Sequence, residues 1–168
     1  MPNSAQYMNL PFDDAIATFR QKLVNLPTNT WKDIWQGQHA KAFVIAGGTK
    51  DAFLTDMRAA VDKGIAKGTT LEAFRKDFDQ IVEQHGWKYK GGRGWRTAVI
   101  FNTNLAVAYD GGHWKQMTDP DMMRMRPYLR YVPSYSRNKR PEHIEWYNLV
   151  LPKDHPFWKT HAPRNGFG

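Results

Sequence analysis

Residues 49–86, TKDAFLTDMRAAVDKGIAKGTTLEAFRKDFDQIVEQHG, decide the fold class. Phe53, Met57, Val61 and Ile65 recur every four positions, which puts them on one stripe of an α-helix opened by Thr49 and closed at Gly68. Leu71, Phe74, Phe78 and Ile81 repeat the pattern in a second helix that ends at Gly86, with Thr69 and Glu72 at capping-box spacing. Two amphipathic helices joined by so short a connection must bury their stripes against each other and against further elements. The stretch therefore predicts a helical body.

Working outward, Phe12, Ile16, Phe19 and Leu23 predict a helix from Phe12 to Leu23, with Asp13 and Asp14 suited to its amino-terminal dipole and Leu26-Pro27 as its stop. Thr30 is placed to cap another, with Trp31, Ile34, Trp35 and Ala42 on one face, fraying towards Gly47-Gly48. On the other side, the basic Gly-rich segment Lys88 to Gly94 reads as a loop that joins rather than packs. Trp95 to Met117 then reads as a longer helix with Val99, Thr103, Ala106 and Trp114 inward, and with Gly111-Gly112 as a point where it kinks or ends.

After residue 119 the texture changes. Pro120, Pro127, Pro133, Pro141, Pro152, Pro156 and Pro163 are most of the ten prolines of the chain, and the helical period is lost. Tyr128 to Val132 and Leu149 to Leu151 read as short strands. The expected architecture is α+β and predominantly α: a helical body over residues 1–118, then a small Pro-rich, β-containing module over residues 119–168.

Composition limits what such a chain does. With 168 residues, 41% hydrophobic and 14% aromatic, it buries a sizeable aromatic core and is not a disordered tail. It has no Cys, so it carries no disulfide framework, thiolate metal site or Cys nucleophile, in keeping with a reducing compartment. Residues 1–10 lack the basic start and apolar run of a signal peptide, and no stretch is a membrane span. The expectation is a soluble protein made and kept in the cytoplasm.

The net charge of +8 is concentrated, because residues 88–140 hold 11 Lys/Arg against 3 Asp/Glu while the remainder is balanced at 13 against 13. Lys88, Lys90, Arg93, Arg96, Arg124, Arg126 and Arg130 are candidate contacts for nucleic acid or for an acidic partner. A solvated surface is the competing explanation.

The densest polar cluster comprises Arg137, Lys139, Arg140, Glu142, His143 and Glu145, followed by Lys153, Asp154, His155 and His161. Phosphodiester cleavage would use His143 as acid or base with Arg140 and Glu142 beside it, and DNA binding without catalysis is a further alternative. His143, His155, His161 and Asp154 would supply metal ligands, but none of these His residues is three to five positions from another, so no metal or other cofactor is expected. His39, His85 and His113 stand singly in or beside helices and read as structural or surface groups. Gly47-Gly48-Thr49-Lys50 and Gly91-Gly92-Arg93-Gly94 lack Walker spacing and read as a helix stop and a hinge.

The terminal run is more distinctive. Arg137-Asn138-Lys139-Arg140-Pro141-Glu142-His143, then Trp146, then Val150 to Trp158, closing with Ala162 to Phe167, resembles the signature of the phage Mu protein F-like minor head proteins, a family of phage head-morphogenesis proteins. Trp31 to His39, Ala42-Phe43, Gly68 to Leu71 with Phe74-Arg75, Gly86-Trp87, Thr103-Asn104 and Pro127 to Tyr131 match in order upstream.

The resemblance implies a non-enzymatic, low-copy virion component. It would associate with the portal vertex and with major capsid or scaffold proteins, enter the procapsid during assembly, and contact packaged double-stranded DNA, with no membrane involved. It also implies a Cys-containing stretch after Asn165-Gly166, whereas this chain carries no Cys. Arg137, Arg140, Glu142, His143, Trp146, Asp154, Phe157 and Trp158 are then expected to be structural: the arginines pairing with carboxylates or carbonyls, His143 hydrogen-bonding across the module, and Trp146, Phe157 and Trp158 forming its small core.

Overall fold

Helix stripes spaced as in residues 49–86 need apolar partners, and the computed structural model, which describes residues 12–22, 24–30, 42–133 and 139–162, shows what they meet. The helices are α1 (Asp13–Arg20), α2 (Asp51–Lys67), α3 (Leu71–His85), α4 (Arg93–Met117), α5 (Pro120–Met125), α6 (Pro141–Glu145) and α7 (Trp158–His161). The strands are β1 (Val24–Asn25), β2 (Ala42–Phe43), β3 (Tyr128–Arg130) and β4 (Val150–Pro152). Helices α1 to α4 pack on one another and enclose a single apolar cluster, so the fold is α+β and predominantly α.

Helix α2 contributes Phe53, Leu54, Met57, Val61 and Ile65 to that cluster, and α3 contributes Phe74, Phe78 and Ile81. Burying one such side chain is worth about 1.5–3 kcal/mol, so these two stripes supply much of the driving force for folding. Both helices stop at a left-handed glycine, Gly68 at φ +62° and Gly86 at φ +60°, a conformation costly for any residue with a Cβ.

Three element boundaries differ from expectation. Helix α1 ends at Arg20, and Leu23 lies outside the described residues. Helix α2 begins at Asp51 rather than at Thr49. The cap of α3 is Thr70, whose Oγ1 accepts from Ala73 N at 3.2 Å, while Glu72 is ion-paired to Arg75 at 3.0 Å. Shifting the cap by one residue removes the capping box, because Glu72 then stands one position too early to reach back.

The helix expected from Trp31 lies outside the described residues up to position 41. Its expected end, Ala42 with Phe43, is instead a strand paired in parallel with β1, Val24 opposite Ala42 and Asn25 opposite Phe43. Leu26 N donates to Phe43 O at 3.0 Å, and the Phe43 ring is fully buried, 6.0 Å from that of Phe19. Gly47-Gly48 accordingly forms a turn after a strand rather than a helix stop, closed by Gly48 N donating to Ile45 O at 2.8 Å.

Helix α4 runs unbroken through Gly111-Gly112, and the reason is close packing. A Cβ on Gly112 would lie 2.7 Å from Ala15 N and 2.8 Å from Phe12 Cζ, and one on Gly111 would run into Thr18 Cγ2. The glycines let α1 lie against α4, and Lys115 Nζ and Gln116 Nε2 then reach the Asp14 carboxylate at 2.8 and 3.1 Å. The buried residues of α4 are Thr97, Ile100, Phe101, Ala108 and Gly112. Of the four expected inward residues, Val99 is exposed and Thr103, Ala106 and Trp114 are only partly buried.

The segment between α3 and α4 also packs, contrary to expectation. Trp87 lies 4.4 Å from the Phe53 ring and donates its indole N–H to Gly47 O at 2.9 Å, and Tyr89 sits edge-on to Phe78 at 5.3 Å. Lys22 is buried at the end of α1, its ammonium 5.7 Å from the centre of the Phe19 ring, and burial pushes its pKa down to about 8. Among the described residues no helix is long and apolar enough to cross a membrane.

Candidate functional site: an aromatic hairpin module and two basic ends

The hairpin is built from short signals. Asp119 caps α5, accepting from Asp121 N at 2.9 Å with Pro120 as the first helical residue. The chain then extends into β3, which pairs antiparallel with β4: Tyr128 opposite Pro152, Leu129 opposite Leu151 and Arg130 opposite Val150. Asn148, at φ +65°, makes the left-handed turn between α6 and β4, and its N–H reaches Tyr131 O at 2.8 Å.

On the inner side of this hairpin the rings converge. Tyr131 meets Trp146 at 5.7 Å and Phe157 at 6.5 Å, and its hydroxyl is 3.1 Å from His143 Nδ1. The His143 ring stacks on Trp146 at 5.0 Å. His161 stacks almost parallel on Phe157 at 4.1 Å and meets the edge of Trp146 at 4.4 Å. Trp158 is buried and donates its indole N–H to Pro152 O at 2.9 Å. Pairs of this kind add about 0.5–1.5 kcal/mol each beyond their buried area, which matters for a module with few apolar residues.

The structure thus brings together His143, Trp146, Phe157 and Trp158 of the sequence signature. Arg137 lies outside the described residues, and Arg140, Glu142 and Asp154 are exposed at the rim. Tyr131, at the centre of the cluster, was not singled out from the sequence; its spacing of two from Leu129 on a strand was the available signal. Lys153 was also underrated. It is 5% exposed, and its ammonium donates to Met117 O at 2.7 Å and Met122 O at 3.4 Å, tying the hairpin to the end of α4. Among the described residues no three His, Asp or Glu side chains converge as metal ligands.

The basic residues fall into two groups. Lys88, Lys90, Arg93 and Arg96 lie at the amino-terminal end of α4, and Arg124, Arg126 and Arg130 lie beyond its carboxy-terminal end. That helix has 25 residues, so the two ends are about 37 Å apart. The block that is continuous in sequence is therefore two patches in space.

Two of the seven are engaged in packing the fold. Arg93 forms a bidentate pair with Asp79 at 2.7 and 2.6 Å, a hydrogen-bonded contact that holds the Asp79 carboxyl below the usual range. Arg96 reaches Ala46 O at 2.5 Å and lies over Trp87 at 5.2 Å, and burial lowers its pKa. Arg124 pairs with Asp121, whereas Lys88, Lys90, Arg126 and Arg130 are exposed. Beside the first patch, Thr49, Lys50, Phe53, His85, Trp87 and Lys88 line a half-open recess of about 300 Å³.

Fold and site together define a predominantly helical α+β protein whose small hairpin module is stacked from aromatic and histidine rings. The chain belongs to the phage Mu protein F-like family, whose model matches residues 55–168. It is 33% identical over 172 aligned positions to the protein of Escherichia phage Mu provisionally named capsid assembly protein F, covering 94% of this chain and 38% of that one. It is 29% identical over 152 positions to the Mu-like prophage FluMu F protein of Haemophilus influenzae, covering 84% of this chain and 36% of the relative. The chain thus spans under two fifths of the length of these curated relatives. No solved structure matches it.

Proposed function

We propose that this chain acts in phage head morphogenesis as a structural, non-enzymatic minor component that joins the procapsid at the portal vertex. The observation that carries the reading is the alignment of 94% of the chain with a relative named for capsid assembly. In this reading the helical body docks on portal, major capsid or scaffold protein, and the two basic ends of α4 face packaged double-stranded DNA or acidic protein. Lys88 and Lys90 at one end and Arg126 and Arg130 at the other supply the exposed charge. The His143 environment favours packing over cleavage, because its Nδ1 meets the Tyr131 hydroxyl and its ring lies on Trp146. Deleting the gene from the phage or prophage that encodes it tests the role. The expected result is loss of infectious, fully packaged particles; normal yields of such particles would overturn it.

A further inference from the structure

The outer face of the β3–β4 hairpin is apolar and open. Tyr128 and Arg130 lie on it from β3, Val150 and Pro152 from β4, and Val132 keeps the same alternation two residues past β3. Tyr128 is 61% exposed, Val132 59% and Val150 54%. Soluble surfaces seldom group large apolar side chains in this way without a partner.

Among the described residues, the backbone on one side of this face has no further strand against it. Lys153 N donates to Pro127 O at 2.8 Å and Tyr131 N donates to Leu149 O at 2.9 Å. These bonds set the phase of the antiparallel ladder: the odd-numbered backbone groups of β3 turn towards β4, and those of Tyr128 and Arg130 turn outward. The other edge is partly closed, since Pro152 has no N–H and its carbonyl accepts from Trp158 Nε1 at 2.9 Å and His155 N at 3.0 Å. Among the described residues the β3 edge is left unpaired and can template a further strand.

Charge selects the occupant. Arg130 stands in the middle of the apolar face and exposed Arg126 flanks it. A second copy of the chain paired strand to strand through β3 would gather Arg126 and Arg130 of both copies on one short ladder, and crowding like charges there is destabilising. An acidic segment meets both arginines. We infer that the β3 edge takes an extended acidic segment of a partner protein, which adds as a third strand with apolar side chains beside Tyr128 and Val132 and carboxylates at Arg126 and Arg130, all on the one outer face. The inference names the chemistry of a docking partner within the proposed assembly role, but its geometry stands independently of that role.

The test uses the full chain and a fluorescein-labelled eight-residue peptide, valine-threonine-glutamate-threonine repeated twice, which sets valines and glutamates in turn on one face of a strand, followed by anisotropy. Saturable binding is expected, weakened about tenfold or more by Arg130→Glu and by N-methylation of the peptide at alternate residues, a change that leaves the protein untouched. No binding, equal binding of the same peptide with lysine in place of glutamate, or indifference to N-methylation would overturn the inference. So would displacement of the peptide by a short DNA duplex that itself binds in an Arg130-dependent way, which would assign the face to nucleic acid. The gene-deletion experiment reports on the assembly role alone, so failure of one reading is distinguishable from failure of the other.

Discussion

Replacing Lys22 by methionine should make this protein more stable at neutral pH. Lys22 is 2% exposed and its ammonium lies near the Phe19 ring, and burial lowers its pKa from 10.5 to about 8. At 1.36 kcal/mol per tenfold, holding the charged form in this site at pH 7 costs about 3 kcal/mol relative to water. The sign follows from proton binding. Between pH 8 and 10.5 the unfolded chain holds the lysine proton and the folded chain has released it, so unfolding takes up a proton and stability rises with pH. Below that window the full cost is present. Methionine keeps an unbranched apolar stem of similar length and carries no charge, so Lys22→Met should gain about 2–3 kcal/mol at pH 7 and little at pH 10.5. Urea unfolding of both proteins across that range, read as a difference, removes the contribution of other titrating groups. A variant that is less stable at pH 7, or that keeps the wild-type slope between pH 8 and 10.5, would refute the reasoning.

Gly112→Ala should destabilise by about 1–3 kcal/mol in thermal melts, although alanine favours helices, because its Cβ would lie 2.7 Å from Ala15 N and push α1 off α4. Tyr131→Phe, which removes only the hydroxyl facing His143, should cost about 1 kcal/mol, whereas Trp146→Ala should cost about 3–5 kcal/mol and loosen amide exchange in β3 and β4.

The legible part of the fold was the part with one neighbour per face. Helices α2 and α3 each present a single stripe to the core, so periodicity located them and Gly68 and Gly86 marked their ends. Helix α4 has a different neighbour along each half, with α2 and α3 on Thr97 to Phe101 and α1 on Gly111-Gly112. No single stripe describes it, and its closest contacts are made by glycines that carry no hydrophobic signal. Ala42-Phe43 pairs with residues far back in the chain, so a helical spacing from Trp31 carried no information about it.

The site was legible as a list and not as a shape. His143, Trp146, Phe157 and Trp158 stood out by resemblance, but the ring at their centre, Tyr131, lies just past the three-residue strand β3, where its alternation with Leu129 is too short a signal to single it out. The basic block looked continuous because a 25-residue helix separating its halves leaves no mark in a charge count.

The proposed role makes the chain a component of the phage head. Sedimenting a lysate from induced cells through a gradient and probing the fractions with an antibody to this chain tests it most directly. The expected result is co-sedimentation with procapsids and filled heads, on the order of a few copies per particle, resistant to nuclease treatment and to a second gradient. Recovery of the chain only in the free protein fractions, with particles assembled and devoid of it, would rule out a place in the head.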